Sequence, residues 1–303
     1  MHSIDVNGDF GFIVSKPLPL MVCLAIIQQL PKKFAKDLII TNTFYGAEKM
    51  ADRLSEVAKG RWSVVFLENH SFAYDYCIKR RYSKVFLDSD VGFQIGLKLL
   101  KIKILSRGVD FFVYEEGLGA YRSDMYYGLK KIILQMMGFA VYFGDNRLTK
   151  KIFVFNPGEY IKSVPNKGVQ VIEIVAKIPD ILTQFIDDFN YIFEIDQLLP
   201  KLAIGSKSEC CEIYLTSWVL DDELVNRPPE KDVFRIIKAH PHIRSYVNFE
   251  NFDMSVEPGL PAELLLLNAI KFFKKVIVIH HGSSVERYIK DNNLSYKNLN
   301  QLE

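Results

Sequence analysis

Residues 111–119, FFVYEEGLG, run from an apolar stretch into two adjacent acids and a glycine. Consecutive aromatic and β-branched residues are typical of a buried strand. The same pattern recurs at 276–284, VIVIHHGSS, and a third apolar run, 236–242, IIKAHPH, also ends at polar residues. Apolar runs that stop at polar turns are typical of parallel strands covered on both faces. The sequence therefore predicts an α/β fold.

Strand-like and helical patterns alternate on both sides of these segments, which predicts doubly wound parallel sheets. In the first half we expect strands at 11–14, 38–41, 63–67, 84–87 and 110–114, and helices at 20–29, 47–58 and 126–137. In the second half we expect a helical stretch at 179–199, strands at 212–218, 233–238 and 275–280, and helices at 262–270 and 284–290.

Proline and glycine cluster between residues 156 and 170, which favours a domain boundary there. A length of 303 residues suits two domains of about 150 residues each. We therefore expect two Rossmann-like domains, 1–157 and 158–303, that face a central cleft.

Composition narrows the class of protein. The formal net charge is +2, which argues against nucleic acid as the main partner. The N-terminus has no signal-peptide pattern, and no apolar run approaches the roughly 20 residues that span a bilayer. We expect a soluble cytoplasmic protein, with a peripheral contact to the inner membrane left open.

The first candidate site is the acidic strand end. One of two adjacent carboxylates, Glu115 and Glu116, can have a raised pKa and act as a general base. Gly117 would let the backbone approach a ligand closely. The alternative is an ordinary strand-end turn with solvated acids.

The second candidate site is the His-Pro strand end at residues 238–241. Pro241 restricts His240 to an extended conformation, so that its ring could donate to a phosphate. Gly282, Ser283 and Ser284 could bind the same anion, or one serine could simply cap the next helix. Each residue also has a purely structural explanation.

Acids elsewhere in the second half add further candidates. Glu263 follows Pro261 at a helix start and could hold a ribose, or it could complement the helix dipole. Asp221 and Asp222 follow a predicted strand and could supply a base, or they could form a polar loop.

In their order along the chain, four short motifs resemble the sialyltransferases of glycosyltransferase family 52. They are YEEGLG at 114–119, KAHP at 238–241, PAELLL at 261–266 and HGSS at 281–284. The resemblance covers about residues 1–290, and it implies the glycosyltransferase B fold, an acceptor-side first domain and a donor-binding second domain.

The resemblance also implies an activity. Such enzymes transfer sialic acid, or a related nonulosonic acid, from its CMP donor to a terminal galactose of a bacterial lipooligosaccharide or capsule, with inversion and without a metal or other cofactor. Glu116 would be the base with Glu115 as its partner, although Asp221 or Asp222 could fill that role. His240 would assist departure of CMP.

The remaining donor contacts implied by the resemblance lie in both halves of the chain. The residues expected to contact the donor are Gly117, Lys238, Pro241, Glu263, Gly282, Ser283 and Ser284. A homodimer is a further option, although no heptad pattern supports it.

Two other functions compete with this interpretation. The run 85–90, VFLDSD, ends in an Asp-x-Asp pair, Asp88 and Asp90, whose spacing suits a metal-dependent glycosyltransferase. Alternatively, the chain is a non-catalytic scaffold of polysaccharide assembly that binds a nucleotide sugar. A dinucleotide-dependent oxidoreductase is disfavoured, because no GxGxxG follows the first predicted strand.

The two enzymatic interpretations predict opposite responses to chelation. If the family resemblance holds, release of CMP from CMP-sialic acid in the presence of a galactoside is unchanged by EDTA. If Asp88 and Asp90 hold an essential metal, EDTA abolishes transfer and added Mn²⁺ or Mg²⁺ restores it.

Overall fold

Two parallel β-sheets form the frame of the chain in a computed structural model that describes residues 9–106, 108–165, 168–217, 220–243 and 249–301. The first sheet consists of β1 (Phe10–Val14), β2 (Lys36–Thr41), β3 (Ser63–Leu67), β4 (Lys84–Leu87), β5 (Asp110–Tyr114), β6 (Thr149–Val154) and β7 (Gln170–Glu173). The second consists of β8 (Cys210–Leu215), β9 (Val233–Lys238), β10 (Met254–Val256), β11 (Lys275–His280) and β12 (Leu294–Asn298). The predicted α/β class is confirmed.

Helices connect most of these strands. Those that accompany the first sheet are α1 (Pro17–Gln29), α2 (Ala47–Ala58), α3 (His70–Arg80), α4 (Phe93–Leu105), α5 (Gly128–Met136) and α6 (Pro157–Ser163). The remaining helices are α7 (Ile178–Gln184), α8 (Ile186–Ile192), α9 (Leu199–Gly205), α10 (Asp222–Asn226), α11 (Ala262–Phe272) and α12 (Val285–Tyr288). Short 3₁₀ turns occur at Leu118–Tyr121, Ile195–Gln197 and Leu299–Gln301.

Both sheets reverse their strand order at one point. The first runs β3-β2-β1-β4-β5-β6-β7 and the second β10-β9-β8-β11-β12, so the reversals lie between β1 and β4 and between β8 and β11. In open α/β sheets the crevice at such a reversal, outside the carboxyl ends of the strands, is the usual ligand site. Each sheet therefore has one expected ligand site, at the carboxyl ends of the strands beside its reversal.

Alternation of side chains along the strands of the first sheet builds two separate cores. One face is aromatic: Phe86 stacks on Phe12 at a centroid distance of 4.3 Å and meets Phe112 edge to face at 5.1 Å. The opposite face is lined by Ile13, Val85 and other apolar residues in one cluster with residues of α3, α4 and α5. Burial on both faces explains why the central strands β1, β4 and β5 are mainly apolar.

The chain divides into two compact units, and the division differs from the predicted one. Unit 1 comprises Met1–Thr43 and Leu54–Lys177, and unit 2 comprises Phe44–Arg53 and Ile178–Glu303. The expected boundary at residue 157 falls inside unit 1, because β7 pairs with β6 in parallel. Pro157 in that segment begins α6, which Asn156 caps by accepting from the Glu159 N–H group.

Some predicted elements differ from those in the structure. The helical stretch expected at 179–199 is broken into α7, α8 and a 3₁₀ turn, with Glu194 in the left-handed conformation at φ 52°. The strand expected at 212–218 ends at Leu215, and Trp218 lies outside the described residues. In the described part of the chain, no helix is both long and apolar enough to cross a membrane.

A glycine of α4 gives a test of packing in unit 1. An added Cβ at Gly96 would lie 2.3 Å from the buried Phe139 ring, whereas at Gly158 it would meet only Asn156 Oδ1, at 3.7 Å. Gly96→Ala is expected to lower the free energy of unfolding by roughly 1–3 kcal/mol, since overpacking outweighs the gain in helix propensity. Urea unfolding followed by circular dichroism should show no loss in the free energy of unfolding for Gly158→Ala. Equal losses in the two variants would contradict the close packing of Gly96 against Phe139.

Candidate functional site

Side chains from three neighbouring strands of unit 1 meet at the carboxyl edge of the first sheet. Lys16 follows β1, Asp88 follows β4 and Glu116 follows β5. Lys16 Nζ lies 2.8 Å from Glu116 Oε2, and the Glu116 side chain keeps 19% of its surface exposed. The structure thus places Glu116 beside the strand reversal, paired with a lysine that the sequence analysis did not single out.

The electrostatics of this pair are set by partial burial. Burial raises the pKa of Glu116, the Lys16 ammonium opposes that shift, and the Asp88 carboxylate adds to it. Burial acts to lower the pKa of Lys16, but Glu116 and Asp88 outweigh it, so that this pKa is raised. Glu116 is therefore a carboxylate with a greater tendency than usual to accept a proton.

Glu115 has a different environment from its neighbour. Its carboxylate is fully buried and accepts hydrogen bonds from the Phe155 N–H group, at 2.8 Å, and from the Tyr121 hydroxyl. It thereby ties the end of β5 to the segment after β6. Gly117 follows at φ 132°, a conformation that favours glycine, and opens the 3₁₀ turn.

Asp88 gathers two further polar groups at the same edge. The Ser15 hydroxyl donates to Asp88 Oδ2, and His70 Nε2 lies 4.0 Å from Asp88 Oδ1. Burial lowers the pKa of His70 despite the attraction of Asp88, which favours the neutral imidazole. Ser15 and His70 were missed by the sequence analysis, although each lies directly after or close to a strand end, which is the signal that could have identified them.

Asp90 does not share this environment. Its buried carboxylate accepts from Gly144 N–H at 3.0 Å, Asn146 N–H at 3.3 Å and the Thr149 hydroxyl at 2.7 Å. These three donors assign Asp90 a structural role, and this argues against the Asp88–Asp90 pair as the two arms of a metal site. Among the described residues, no group of three His, Cys, Asp or Glu side chains is arranged to hold a metal ion.

In unit 2, a buried lysine connects the motifs of the second sheet. Lys238 Nζ donates to Ala239 O at 2.9 Å and to Pro258 O at 3.2 Å, which joins the end of β9 to the segment after β10. Burial lowers its pKa to about 8, and Glu263 acts against that shift. Lys238 thus holds the end of β9 and the segment after β10 together by hydrogen bonds.

Glu263 is the acidic counterpart of Lys238. It lies in the first turn of α11 and is buried, and burial raises its pKa against the effects of its own backbone N–H and of Lys238. Its position supports the role of complementing the helix dipole, since the first turn of a helix favours a carboxylate.

Pro241 and Gly259 meet at a common neighbour. The Tyr45 N–H group donates to Pro241 O at 3.0 Å, and a Cβ added at Gly259 would lie 2.5 Å from Tyr45 O. The backbone therefore passes too close at Gly259 for any side chain. The KAHP motif and the segment preceding α11 are thus held together from two sides.

His240 is positioned through its backbone and its ring. Its N–H group donates to Thr216 Oγ1 at 2.9 Å, and its Nδ1 accepts from the His242 N–H group at 3.3 Å. An accepting Nδ1 assigns the proton of the neutral ring to Nε2. His240 can therefore present an N–H donor, which is the chemistry required to bind a phosphate oxygen.

The turn after β11 has fewer available donors than the sequence predicted. Gly282, at φ 72°, donates its N–H to Asn298 Oδ1 at 3.1 Å, and Ser283 N–H donates to His280 Nδ1 at 2.9 Å. Ser283 Oγ accepts from Val285 N–H at 3.3 Å, whereas Ser284 makes no side-chain cap. The Gly282 and Ser283 N–H groups are therefore already engaged, and the serine hydroxyl groups are the candidate donors to an anion at this turn.

Asp221 and Asp222 differ in their environments. Asp221 caps α10 through the Leu224 N–H group at 3.0 Å, and its other oxygen lies 3.9 Å from His281 Nε2. His281 Nε2 is also 3.3 Å from the Tyr214 hydroxyl, at the strand reversal between β8 and β11. Asp222 is exposed in the first turn of α10. The sequence analysis did not single out Tyr214 or His281 as site residues.

A cavity of about 180 Å³ borders this edge of unit 2 at the carboxyl end of β10. Its lining comprises Lys49, Met50, Ile192, Phe193, Glu194, Gln197, Leu198, Lys201, Ser255, Val256, Glu257, Gly259 and Leu260. Glu194 within it is paired with Lys49 and with Arg53, whose Nη2 lies 2.6 Å from Glu194 Oε1. The cavity thus adjoins the segment that Lys238 supports.

Asp90→Asn tests the structural role of Asp90. An amide nitrogen cannot accept the donated hydrogen bonds, so we expect a loss of about 1–3 kcal/mol in the free energy of unfolding at neutral pH. Burial raises the pKa of Asp90 to about 6. The Asp90 carboxylate therefore binds a proton more tightly in the native state than in the unfolded chain. As a result, the contribution of Asp90 to the free energy of unfolding rises as the pH falls from 7 to 4.

The difference between wild type and Asp90→Asn should accordingly widen as the pH falls, by at most about 3 kcal/mol. Urea unfolding at several pH values measures it, with the exposed Asp9→Asn as control. A difference that narrows on acidification would contradict the assigned environment of Asp90.

No protein-family model, no curated protein and no solved structure matches this chain. The function therefore has to be argued from the chemistry of the two strand edges.

Proposed function

We propose that the chain is an inverting sialyltransferase. It transfers sialic acid, or a related nonulosonic acid, from the CMP donor to a galactose-type acceptor of a bacterial surface glycan. The glycosyltransferase B arrangement expected from the sequence, with an acceptor-side first domain and a donor-binding second domain, is part of this proposal.

One observation carries the proposal: motifs that are far apart in the sequence share the carboxyl edge of the second sheet. Lys238 joins the KAHP motif to the segment before PAELLL by its hydrogen bond to Pro258 O, and Glu263 of that motif is its acidic counterpart. The HGSS turn follows β11 at the same edge. This is the edge at which α/β sheets bind nucleotides.

The transfer step needs a base for the acceptor hydroxyl. In our proposal the acceptor oxygen bonds to the anomeric carbon of the donor sugar while the bond from that carbon to the CMP phosphate oxygen breaks. The Glu116 carboxylate takes the hydroxyl proton, and the bonding electrons leave with CMP. The raised pKa of Glu116 and its partial exposure support this assignment.

Competing acids fit the role of base less well. Glu115 is fully buried and already accepts two hydrogen bonds, which suits a positioning residue. Asp221 is engaged as a helix cap, and Asp222 is exposed in the first turn of α10. Lys16, which pairs with Glu116, is assigned to hold the carboxylate in place before the acceptor arrives.

Departure of CMP needs donors for a single phosphate group. His240 is assigned to donate a hydrogen bond from Nε2–H to the phosphate, and the Ser283 and Ser284 hydroxyl groups are assigned as further donors. A monophosphate leaving group has less charge to neutralise than a diphosphate, so the proposal includes no metal.

Glu116→Gln is the variant that tests the base. The amide is close in size but cannot accept the proton, so the rate of CMP release in the presence of a galactoside should fall by about 10²–10⁴-fold. Exposed Glu48→Gln is the matched control and should leave the rate unchanged. Thermal unfolding of each variant would show whether the fold is retained.

A Glu116→Gln enzyme as fast as the wild type would contradict the assignment of the base, and Asp221→Asn would then be compared in the same assay. If the wild type binds CMP but releases none from CMP-sialic acid with any galactoside, the alternative of a non-catalytic nucleotide-sugar scaffold replaces the proposal.

A further inference from the structure

Helix α5 turns an apolar face outward. Leu129, Ile132, Ile133 and Met136 follow the spacing i, i+3, i+4, i+7, which places them on one side of the helix. Their exposed fractions are 71%, 54%, 48% and 77%, whereas Leu134 is buried in the core. Such spacing normally marks the buried side of an amphipathic helix, so an exposed stripe of this kind requires an explanation.

Helix α4 carries a second stripe of the same kind. Phe93, Leu97, Leu100 and Ile104 are all exposed, while its inward side buries Gly96, Leu99 and Ile102. The apolar residues of α4 therefore cover both the core side and the outer side of the helix.

The two stripes belong to one surface of unit 1. The Phe93 ring, at the start of α4, meets the Phe139 ring just after α5, at a centroid distance of 5.5 Å. Tyr126, just before α5, brings its hydroxyl within 2.8 Å of the position of a Cβ added at Gly92. Leu99 and Leu134 belong to the same core cluster, on one face of the first sheet.

The charge on this surface has one sign. The segments Phe93–Leu105 and Tyr127–Met137 contain Lys98, Lys101, Lys103, Lys130 and Lys131 and no acidic residue. Lys101 pairs with Asp75 of α3 at 2.7 Å, whereas Lys98 and Lys130 lie over the rings of Tyr74 and Tyr126. The apolar side chains are thus interleaved with ammonium groups.

We propose that α4 and α5 form a lipid-docking face, on which unit 1 lies against a bilayer surface that contains anionic lipid. Apolar side chains would enter the boundary between headgroups and acyl chains while the lysines contact the headgroup phosphates. Tyr127, exposed beside the stripe of α5, is a residue type enriched at that depth. The charge favours this occupant over a second copy of the chain, because a second copy would bring lysines against lysines.

This docking face goes beyond the proposed transfer activity and does not depend on it. Flotation of the full chain with vesicles tests it without any enzymatic readout. We expect the protein to float with vesicles of phosphatidylcholine and phosphatidylglycerol and to remain largely unbound with phosphatidylcholine alone. Added salt should weaken the binding.

Variants separate the apolar contribution from the charged one. Leu129→Ser with Ile133→Ser should weaken partition by at least about tenfold, and Ile204→Ser, an equally exposed apolar residue of α9 in unit 2, should not. Lys130→Gln with Lys131→Gln should weaken it by about fivefold for each lysine. Lys32→Gln with Lys207→Gln, both exposed outside this face, should have little effect.

Three results would overturn the proposal. The first is no flotation of the wild type with anionic vesicles. The second is equal flotation with neutral vesicles. The third is a self-association of the wild type that the Leu129→Ser and Ile133→Ser double variant abolishes without any change in vesicle binding, since the face would then be a contact between copies. The altered residues are exposed, apart from the half-buried Lys131, so thermal unfolding should be unchanged and loss of fold is separately visible.

Discussion

The segments at the carboxyl edge of the second sheet are joined by a buried cation, Lys238. An ammonium group inside a protein is costly unless its protons are bonded and a counter-charge is near. Lys238 meets both conditions by donating to Ala239 O and Pro258 O and by its attraction to Glu263. These interactions connect the end of β9 with the segment after β10 and with the first turn of α11. His240 takes its position from that framework.

The acids at the strand ends of unit 1 divide into those that accept from backbone N–H groups and those that contact side chains at the sheet edge. Glu115 and Asp90 are buried and use their carboxylates to hold backbone N–H groups of neighbouring segments. Glu116 and Asp88 lie close to Lys16, Ser15 and His70 at the sheet edge. Side chains along extended backbone alternate in direction, so the adjacent Glu115 and Glu116 reach different environments. We therefore expect any reactive group at this edge to be Glu116 or Asp88.

Much of the fold could be predicted because strands buried on both faces are apolar and end at polar residues. The bounds expected for β3, β4, β5, β9 and β11 agree with the structure. Helix α4 was not predicted, since FQIGLKLLKIKIL is apolar on both its buried and its exposed sides and shows no clear periodicity. The boundary expected at 157 lies inside unit 1, since Pro157 begins α6 there.

The candidate site could be predicted only in part, for a related reason. Strand-end motifs are visible in the sequence, and the structure places His240, Glu263 and Ser283 at one sheet edge. Partners that depend on strand order are not visible. Lys16 follows β1 and Glu116 follows β5, and the two meet because these strands flank β4 in the sheet, although the residues are 100 positions apart in the chain. The same holds for His281 and Asp221.

In our proposal, the carboxyl edge of the second sheet binds the nucleotide of a CMP-linked donor. Calorimetric titration of the full chain with CMP measures that binding in the wild type and in His240→Ala. We predict saturable binding to the wild type that is markedly weaker in His240→Ala, with EDTA present throughout. Absence of CMP binding to the wild type, or equal affinity in the two proteins, would contradict the account.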